Sequence, residues 1–252
     1  MSKKIKKGKK IVLGFVIAIT IMTTIAALTH IPIRTTNDFT QRGNEFFKKG
    51  DFEAAITDFD HAIKIDPLNA VAHFLRGNTY HEKGEYDKAI EDYCEAIKLE
   101  LTYANIYNYR GLAYIENGDY EKAIADFSQA IKANPNRVYS STEKDKKKGA
   151  SDKAILDSHF ATRKDINNTS AYFNRANAYS KKGDYDKAIA EYTQVIKINP
   201  NYFAAYINRG LAFDKKGDYD KAVADFILAL RIDPNNQTAK ASLEMAKIGR
   251  GY

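Results

Sequence analysis

Five histidines and one cysteine are the residues of this 252-residue chain best suited to metal binding or nucleophilic chemistry. His73 and His81 lie eight residues apart, and at about 100° per helical residue they are offset by about 80°. A helical zinc site needs histidines four residues apart, so this pair does not form one. Cys94 has no second cysteine to pair with, and we interpret it as a small helix residue. Because no nucleophile–base arrangement or phosphate loop is found, the sequence predicts no enzyme activity, cofactor or metal.

An arginine that precedes an acidic residue by 16 positions recurs along the chain. The pairs are Arg42 with Asp58, Arg76 with Asp92, Arg110 with Asp126, Arg175 with Glu191, and Arg209 with Asp225. On two antiparallel helices joined midway between the partners, each pair would meet and form a salt bridge that fastens helix to helix. Partial shielding from solvent would raise the contribution of each salt bridge to stability above the ~0 to 1 kcal/mol of an exposed pair. The cost of burying the charges offsets part of that gain. The alternative is that these residues are independent, solvated charges.

The elements that position these pairs follow from a repeated heptapeptide. GDYDKAI begins at Gly183, and near-copies begin at Gly50, Gly84, Gly118 and Gly217. Aligning the copies gives five gap-free units of 34 residues, at 36–69, 70–103, 104–137, 169–202 and 203–236. Between the third and fourth of these, GASDKAI from Gly149 indicates a degenerate, shortened unit at 138–168, with polar residues at core positions. A fixed period of this size predicts a stack of repeats.

Each unit contains two apolar-periodic stretches separated by a glycine-containing break, which predicts two antiparallel helices. Glycine recurs at position 8 of a unit, where a larger side chain would hold the helices apart, and alanine recurs at position 20 on the facing helix. These features resemble the tetratricopeptide repeat family over residues 36–236. The resemblance implies an all-α fold, an α-solenoid of antiparallel helix pairs wound as a right-handed superhelix. Residues 237–252 are expected to form a capping helix over the last apolar face.

The resemblance also implies where a partner would bind, because it places positions 2, 5, 6, 9, 12 and 13 of each first helix on a concave wall. The candidate groove residues at these positions are Asn44, Phe74, Asn78, His81, Asn108, Tyr109, Phe173, Asn174, Asn177, Ile207 and Asn208. Asparagine amides can donate to and accept from the backbone of an extended peptide, while the aromatic and aliphatic members form apolar pockets. The alternative is that these are ordinary solvated groups.

The first thirty residues predict contact with a membrane. Six lysines lie within residues 1–10, and nineteen uncharged, largely apolar residues follow at 11–29. At about 1.5 Å per residue this stretch nearly spans a bilayer core of about 30 Å. Lysines that precede a membrane helix stay in the cytoplasm, which places the repeats on the far side of a single-pass anchor. The alternative is a signal peptide cleaved near Ala26, which would release a secreted protein.

The formal net charge of +7 does not indicate nucleic-acid binding, because the N-terminal lysines account for six of these charges. The near-neutral repeats lack the basic surface that phosphate contacts need. We therefore expect a membrane-tethered interaction scaffold that binds a protein or peptide partner. A secreted adaptor and a structural protein that assembles with itself are the alternatives, and the oligomeric state is left open.

Overall fold

A computed structural model describes residues 35–99, 101, 104–132, 155–156 and 168–249. The chain divides into two compact units, residues 1–35 and 36–252, and the description that follows concerns the second. Its described residues contain helices and no strand, as the sequence predicts. The eleven helices are α1 Thr36–Lys48, α2 Phe52–Ile65, α3 Ala70–Glu82, α4 Tyr86–Lys98, α5 Ala104–Glu116, α6 Tyr120–Lys132, α7 Asn168–Lys182, α8 Tyr185–Ile198, α9 Phe203–Lys215, α10 Tyr219–Ile232 and α11 Gln237–Gly249.

Each repeat is a helical hairpin whose turn is made by the glycine of the repeated heptapeptide. Gly50 has a φ of 79°, in the left-handed region that glycine enters without steric cost. The amide of Gly50 donates to the carbonyl of Phe47, and the amide of Asp51 donates to the carbonyl of Phe46. These two carbonyl groups at the end of α1 therefore have hydrogen-bond partners. The Asp51 carboxylate then accepts from the amide of Ala54 at 3.2 Å and caps α2. The break in the sequence therefore both ends one helix and starts the next.

The two helices of a hairpin approach closely at the position-8 glycine. A Cβ placed on Gly111 would lie 2.7 Å from Cε1 of Phe127, whose ring is fully buried. Gly43, Gly77 and Gly210 face the aromatic ring at position 24 of their own repeats in the same way. The sequence predicts that glycine faces the small alanine at position 20, but its nearest neighbour is this ring. Glycine thus makes room for an aromatic core residue.

The repeats stack in order, and the stack continues directly from residues 104–132 to residues 168–202. Helix α6 packs against α7, and Ala178 of α7 shares one apolar cluster with Ile115, Ala123 and Phe127. The sequence placed the degenerate unit 138–168 between these two repeats, where it would have kept them apart. Apart from Ile155, Leu156 and Asn168, that unit lies outside the described residues. The direct contact between α6 and α7 shows that it does not separate its neighbours in the stack.

The C-terminal helix α11 follows the last hairpin and packs on α10. Ala246 is buried with Ala222 and Phe226, and Leu243 packs against the same cluster. The predicted capping helix is therefore present over Gln237–Gly249. Its outer face exposes Met245 and Ile248, which are 70% and 71% exposed.

Among the described residues, no helix has both the length and the apolar character needed to cross a membrane. The predicted anchor or signal stretch, residues 11–29, lies outside them.

Candidate functional site

The five arginine–acid pairs predicted from the sequence are confirmed as salt bridges within the helical hairpins. In the third repeat, Arg110 donates from Nε and Nη2 to the two carboxylate oxygens of Asp126, both at 2.7 Å. Arg42, Arg76 and Arg209 make the same two-pronged contact to their partners. Because the Asp126 side chain is only 6% exposed and that of Arg110 is 18% exposed, solvent screens this pair less than it screens a surface pair.

The same arginines also reach the preceding repeat, which the sequence argument did not predict. Arg110 Nη1 lies 3.2 Å from Sγ of Cys94, and Arg209 Nη1 donates to Oγ1 of Thr193 at 3.0 Å. The corresponding contacts in the second and fourth repeats are Arg76 to Asp60 and Arg175 to Ser128. All four acceptors hold position 25 of their repeats. A polar or thiol side chain recurs at that position in the sequence, and this recurrence could have predicted the contact between repeats. Each arginine therefore joins two repeats as well as two helices.

For Arg76, burial alone would lower the pKa of the guanidinium. Hydrogen bonds to Asp92 and Asp60 more than offset this effect, so its pKa is raised above the ordinary value. These hydrogen bonds hold the Arg76 guanidinium in its charged form.

The fourth repeat departs from this pattern because it carries glutamate in place of aspartate. Arg175 donates from Nη2 to Oε1 of Glu191 at 2.7 Å, a single contact. Arg175 Nε and Glu191 Oε2 are both buried without a hydrogen-bond partner. The extra methylene of glutamate displaces the second oxygen from the arginine, and this pair forms one bond where the others form two.

Six of the predicted groove residues are buried and so are not part of an open wall. They are Asn44, Phe74, Asn78, Asn108, Tyr109 and Ile207. Phe74 packs between rings, with centroids 5.9 Å from both Tyr93 and Tyr109. The hydroxyl of Tyr93 donates to Oδ1 of Asn78 at 2.8 Å, so that amide oxygen is engaged inside the protein. The sequence places these residues correctly on the first helices of their repeats. It does not show that they are buried and closed to a ligand.

The remaining five predicted residues, His81, Phe173, Asn174, Asn177 and Asn208, are partly exposed. Three of them, Asn174, Asn177 and Asn208, line one cleft of about 400 Å³. We call it the α5–α7–α9 cleft, since most of its wall comes from these helices. The other lining residues are Leu112, Ile115, Glu116, Ser180, Lys181, Tyr192 and Leu211. His81 and Phe173 do not line it, and Phe173 packs on the ring of Tyr202 instead, with centroids 5.1 Å apart.

Hydrogen bonds hold the cleft asparagines in place. Asn174 Nδ2 donates to Oδ1 of Asn108 at 3.1 Å, and Asn208 Nδ2 donates to Oδ1 of Asn177 at 3.0 Å. The hydroxyl of Tyr192 donates to the same Asn177 oxygen at 2.6 Å. Burial raises the pKa of the Tyr192 phenol, so this donor stays protonated well into the alkaline range. Each side chain is therefore ordered before anything binds.

The cleft combines apolar and polar walls. Leu112, Ile115 and Leu211 form the apolar part, while exposed Glu116 and Lys181 supply opposite charges. Apart from Tyr192 on α8, the residues that the sequence argument missed here hold positions 9, 12 and 13 of the first helices, which were on its concave list. Such a cleft suits an extended peptide, with amides for the backbone and an apolar surface for side chains. In the described part of the chain, no three His, Cys, Asp or Glu residues are grouped to hold a metal ion.

Family models match most of the stack. The TPR repeat model matches residues 43–84, 77–118 and 176–217, and the tetratricopeptide repeat models match 104–137 and 203–236 and, separately, 161–190. Together these matches cover more than half of the chain. Among curated proteins, none matches the chain significantly.

Solved structures share the fold. The MamA protein is 29% identical, with a TM-score of 0.62 over 79% of this chain and 92% of that one. YrrB, described as a TPR protein with an unusual peptide-binding site, is 18% identical, with a TM-score of 0.64 over 82% of this chain and 91% of that one. PilW, described as a type IV pilus biogenesis factor, is 18% identical, with a TM-score of 0.61 over 85% and 90%.

Proposed function

Because this chain belongs to the tetratricopeptide repeat family, we propose that it is a protein–protein interaction scaffold that binds a peptide in the α5–α7–α9 cleft. The observation that carries this proposal is the cleft itself, where Asn174, Asn177 and Asn208 are pre-ordered beside an apolar wall. Ordered side chains lose little conformational entropy on binding, which favours affinity. The peptide-binding description of YrrB, which has the same fold, supports the same kind of ligand.

Selection from a random peptide library tests this site. Peptides selected on the full chain should bind at least about tenfold more weakly, or about 1.4 kcal/mol, when Asn174, Asn177 and Asn208 are all replaced by Ala. Helix content by circular dichroism should be unchanged. The matched control is Asn201→Ala with Asn235→Ala, two exposed asparagines in turns, and it should bind as the natural chain does. Unchanged affinity in the triple variant would remove the cleft as the binding site.

We further propose that residues 11–29 tether the scaffold to a membrane with the repeats on the extracytoplasmic side. The uncharged stretch behind six lysines supports this placement. N-terminal sequencing of the mature protein distinguishes it from secretion, because a start at or after Ala27 would show that the stretch is removed.

The exposed side chains of Met245 and Ile248 favour self-assembly as a second candidate function. These side chains present apolar surface at the end of the stack, where a second copy could add. Light scattering should then give a mass that rises with concentration and returns to that of one chain in Met245→Lys. A single mass at all concentrations excludes this role.

A further inference from the structure

Ile155 and Leu156 are buried although they belong to the unit that does not separate its neighbours in the stack. Ile155 is 6% exposed and Leu156 is fully buried. Both belong to the large apolar cluster of the first three repeats, together with Val71, Phe74 and Leu75 of α3. The cluster thus joins the pair to residues of all three repeats, including some at least 80 positions earlier in the chain.

The burial of Leu156 is not that of an ordinary repeat residue. Counted from the heptapeptide GASDKAI, Leu156 holds position 22 of a unit. In all five stacked repeats, position 22 is exposed to solvent. Its occupants there are Thr57, Glu91, Ala125, Ala190 and Ala224. A leucine that is fully buried at this position is covered by a different surface from the one a stacked repeat uses.

The concave wall differs in burial between α3, in the second repeat, and α9, in the fifth. On α3, Val71, Phe74 and Leu75 hold positions 2, 5 and 6 and are fully buried. On α9, positions 2 and 6 are the half-buried Ala204 and Asn208, whereas Ile207 at position 5 is buried. Position 9 changes in the same sense, from a buried Asn78 to a Leu211 that is 39% exposed. The wall is thus more covered on α3 than on α9, which lines the α5–α7–α9 cleft.

We propose that the Ile155–Leu156 pair occupies the concave wall of the first three repeats as a ligand contained within the chain. This inference rests on the proposed function, since it treats the wall as a peptide-binding surface. It also assigns a ligand class to that part of the wall, namely a segment with adjacent aliphatic side chains. An external peptide of this class binds only by replacing the pair, whereas the α5–α7–α9 cleft stays available.

The size of the effect follows from competition within one molecule. Attachment to the same chain gives a segment an effective concentration on the order of a millimolar. If the free segment binds the wall with a Kd of about 0.1 mM, its presence weakens an external competitor about tenfold.

The test uses a fluorescent peptide with the sequence of residues 149–162, GASDKAILDSHFAT. Full-length protein in detergent should bind it at least about tenfold more tightly when Ile155 and Leu156 are both replaced by Ser. The same peptide carrying both serines should not bind. The matched control is Ile65→Ser with Leu68→Ser, which removes two exposed aliphatic side chains and should behave as the natural chain does. Equal affinity of the double-serine variant and the natural chain, or no binding by either, would overturn the proposal.

A second measurement covers the case in which the double-serine variant folds poorly. In a Cys94→Ser background, the thiol introduced by Leu156→Cys should react slowly with a maleimide, and excess unlabelled 149–162 peptide should accelerate the reaction at least about threefold, as expected for direct displacement. An unchanged rate contradicts the proposal.

If deletion of residues 1–34 opens the wall to the peptide while the double-serine change does not, the N-terminal segment is the occupant and the assignment to Ile155 and Leu156 is wrong.

These outcomes are separable from those for the α5–α7–α9 cleft. Replacement of Asn174, Asn177 and Asn208 by Ala should leave binding of the 149–162 peptide unchanged. If the proposal for Ile155 and Leu156 is wrong, the library test of the α5–α7–α9 cleft is unaffected. If the proposal for the cleft is wrong, the test with the 149–162 peptide is likewise unaffected.

Discussion

At the scale of single residues, the arginine of each arginine–acid pair can contact two helices and two repeats at once. Arg76 binds both oxygens of Asp92, at 2.8 and 2.7 Å, and also reaches Asp60 of the preceding repeat. Asp92 in turn lies 3.1 Å from Nδ1 of His73. A carboxylate with this many partners and 6% side-chain exposure is well compensated for its burial, whereas the loss of any partner leaves a buried charge.

Asp92→Ala should therefore lower the free energy of unfolding by about 3 kcal/mol, because Arg76 loses its buried counter-charge. The comparison is Glu95→Ala in the same helix, since Glu95 pairs with Lys98 on the exposed face and should cost less than about 1 kcal/mol. Denaturant unfolding followed by circular dichroism measures both values. Equal losses in the two variants would contradict a special role for the buried pair.

Glu191→Asp should raise the free energy of unfolding by about 1 kcal/mol. The shorter side chain should allow the two-pronged contact seen in the other repeats and satisfy Arg175 Nε, which is now buried without a partner. The reverse change in the fifth repeat, Asp225→Glu, should cost a similar amount. A gain from both changes, or a loss from both, would mean that local packing and not the second hydrogen bond decides stability.

At the scale of helices, the hairpin is defined by a glycine on one helix and an aromatic ring on the other. The facing pairs of glycine and ring recur in the first, second, third and fifth repeats, whereas the fourth has Ala176 facing Tyr192. Helix propensity alone favours alanine over glycine by up to about 1 kcal/mol. Glycine is present in spite of that preference because the ring occupies the space that a Cβ would need.

Gly111→Ala should destabilise the protein by about 1 to 3 kcal/mol, even though it improves helix propensity, because the added Cβ overlaps the buried Phe127 ring. In a Phe127→Leu background the same substitution should be neutral or stabilising, since the smaller side chain leaves room. Thermal and denaturant unfolding of the two single variants and the double variant give this coupling directly. Additive effects would mean that the helices separate instead of clashing.

At the scale of the whole repeat stack, the contact between α6 and α7 decides how the repeats are connected. Arg175 of the fourth repeat donates to Ser128 of the third at 2.9 Å, as neighbouring repeats do elsewhere in the stack. Each repeat buries its apolar face against its neighbours, so continuity of the stack sets its stability. The residues between α6 and α7 therefore do not separate the third and fourth repeats in the stack.

Deletion of residues 138–168, with Arg137 joined directly to Thr169, should therefore keep a cooperative unfolding transition. The new junction repeats the one between residues 69 and 70, where position 34 is followed at once by position 1. The deletion also removes Ile155 and Leu156, so the uncovered wall should make the protein bind apolar dyes more strongly. Loss of the cooperative transition would mean that the inserted stretch is required for folding.

Most of the fold could be predicted from the sequence because a short local pattern was written five times. Residues such as Gly50 and Asp51 determine the turn from their own neighbours, and Arg110 with Asp126 follows from the geometry of one hairpin. The contact from Arg110 to Cys94 joins two repeats. Residue spacing within one repeat does not predict such a contact. The burial of Phe74 and Tyr109 could not be predicted, because Phe74 packs against Tyr109 of the next repeat, and residue spacing within one repeat does not show contacts between repeats.

The direct seating of α7 on α6 has a practical consequence for anyone who wishes to add material to this protein. Arg175 keeps its contact with Ser128 although 31 residues lie between the third and fourth repeats in the sequence. The equivalent seams after residues 69 and 202 are therefore the places to graft a reporter or a second binding module.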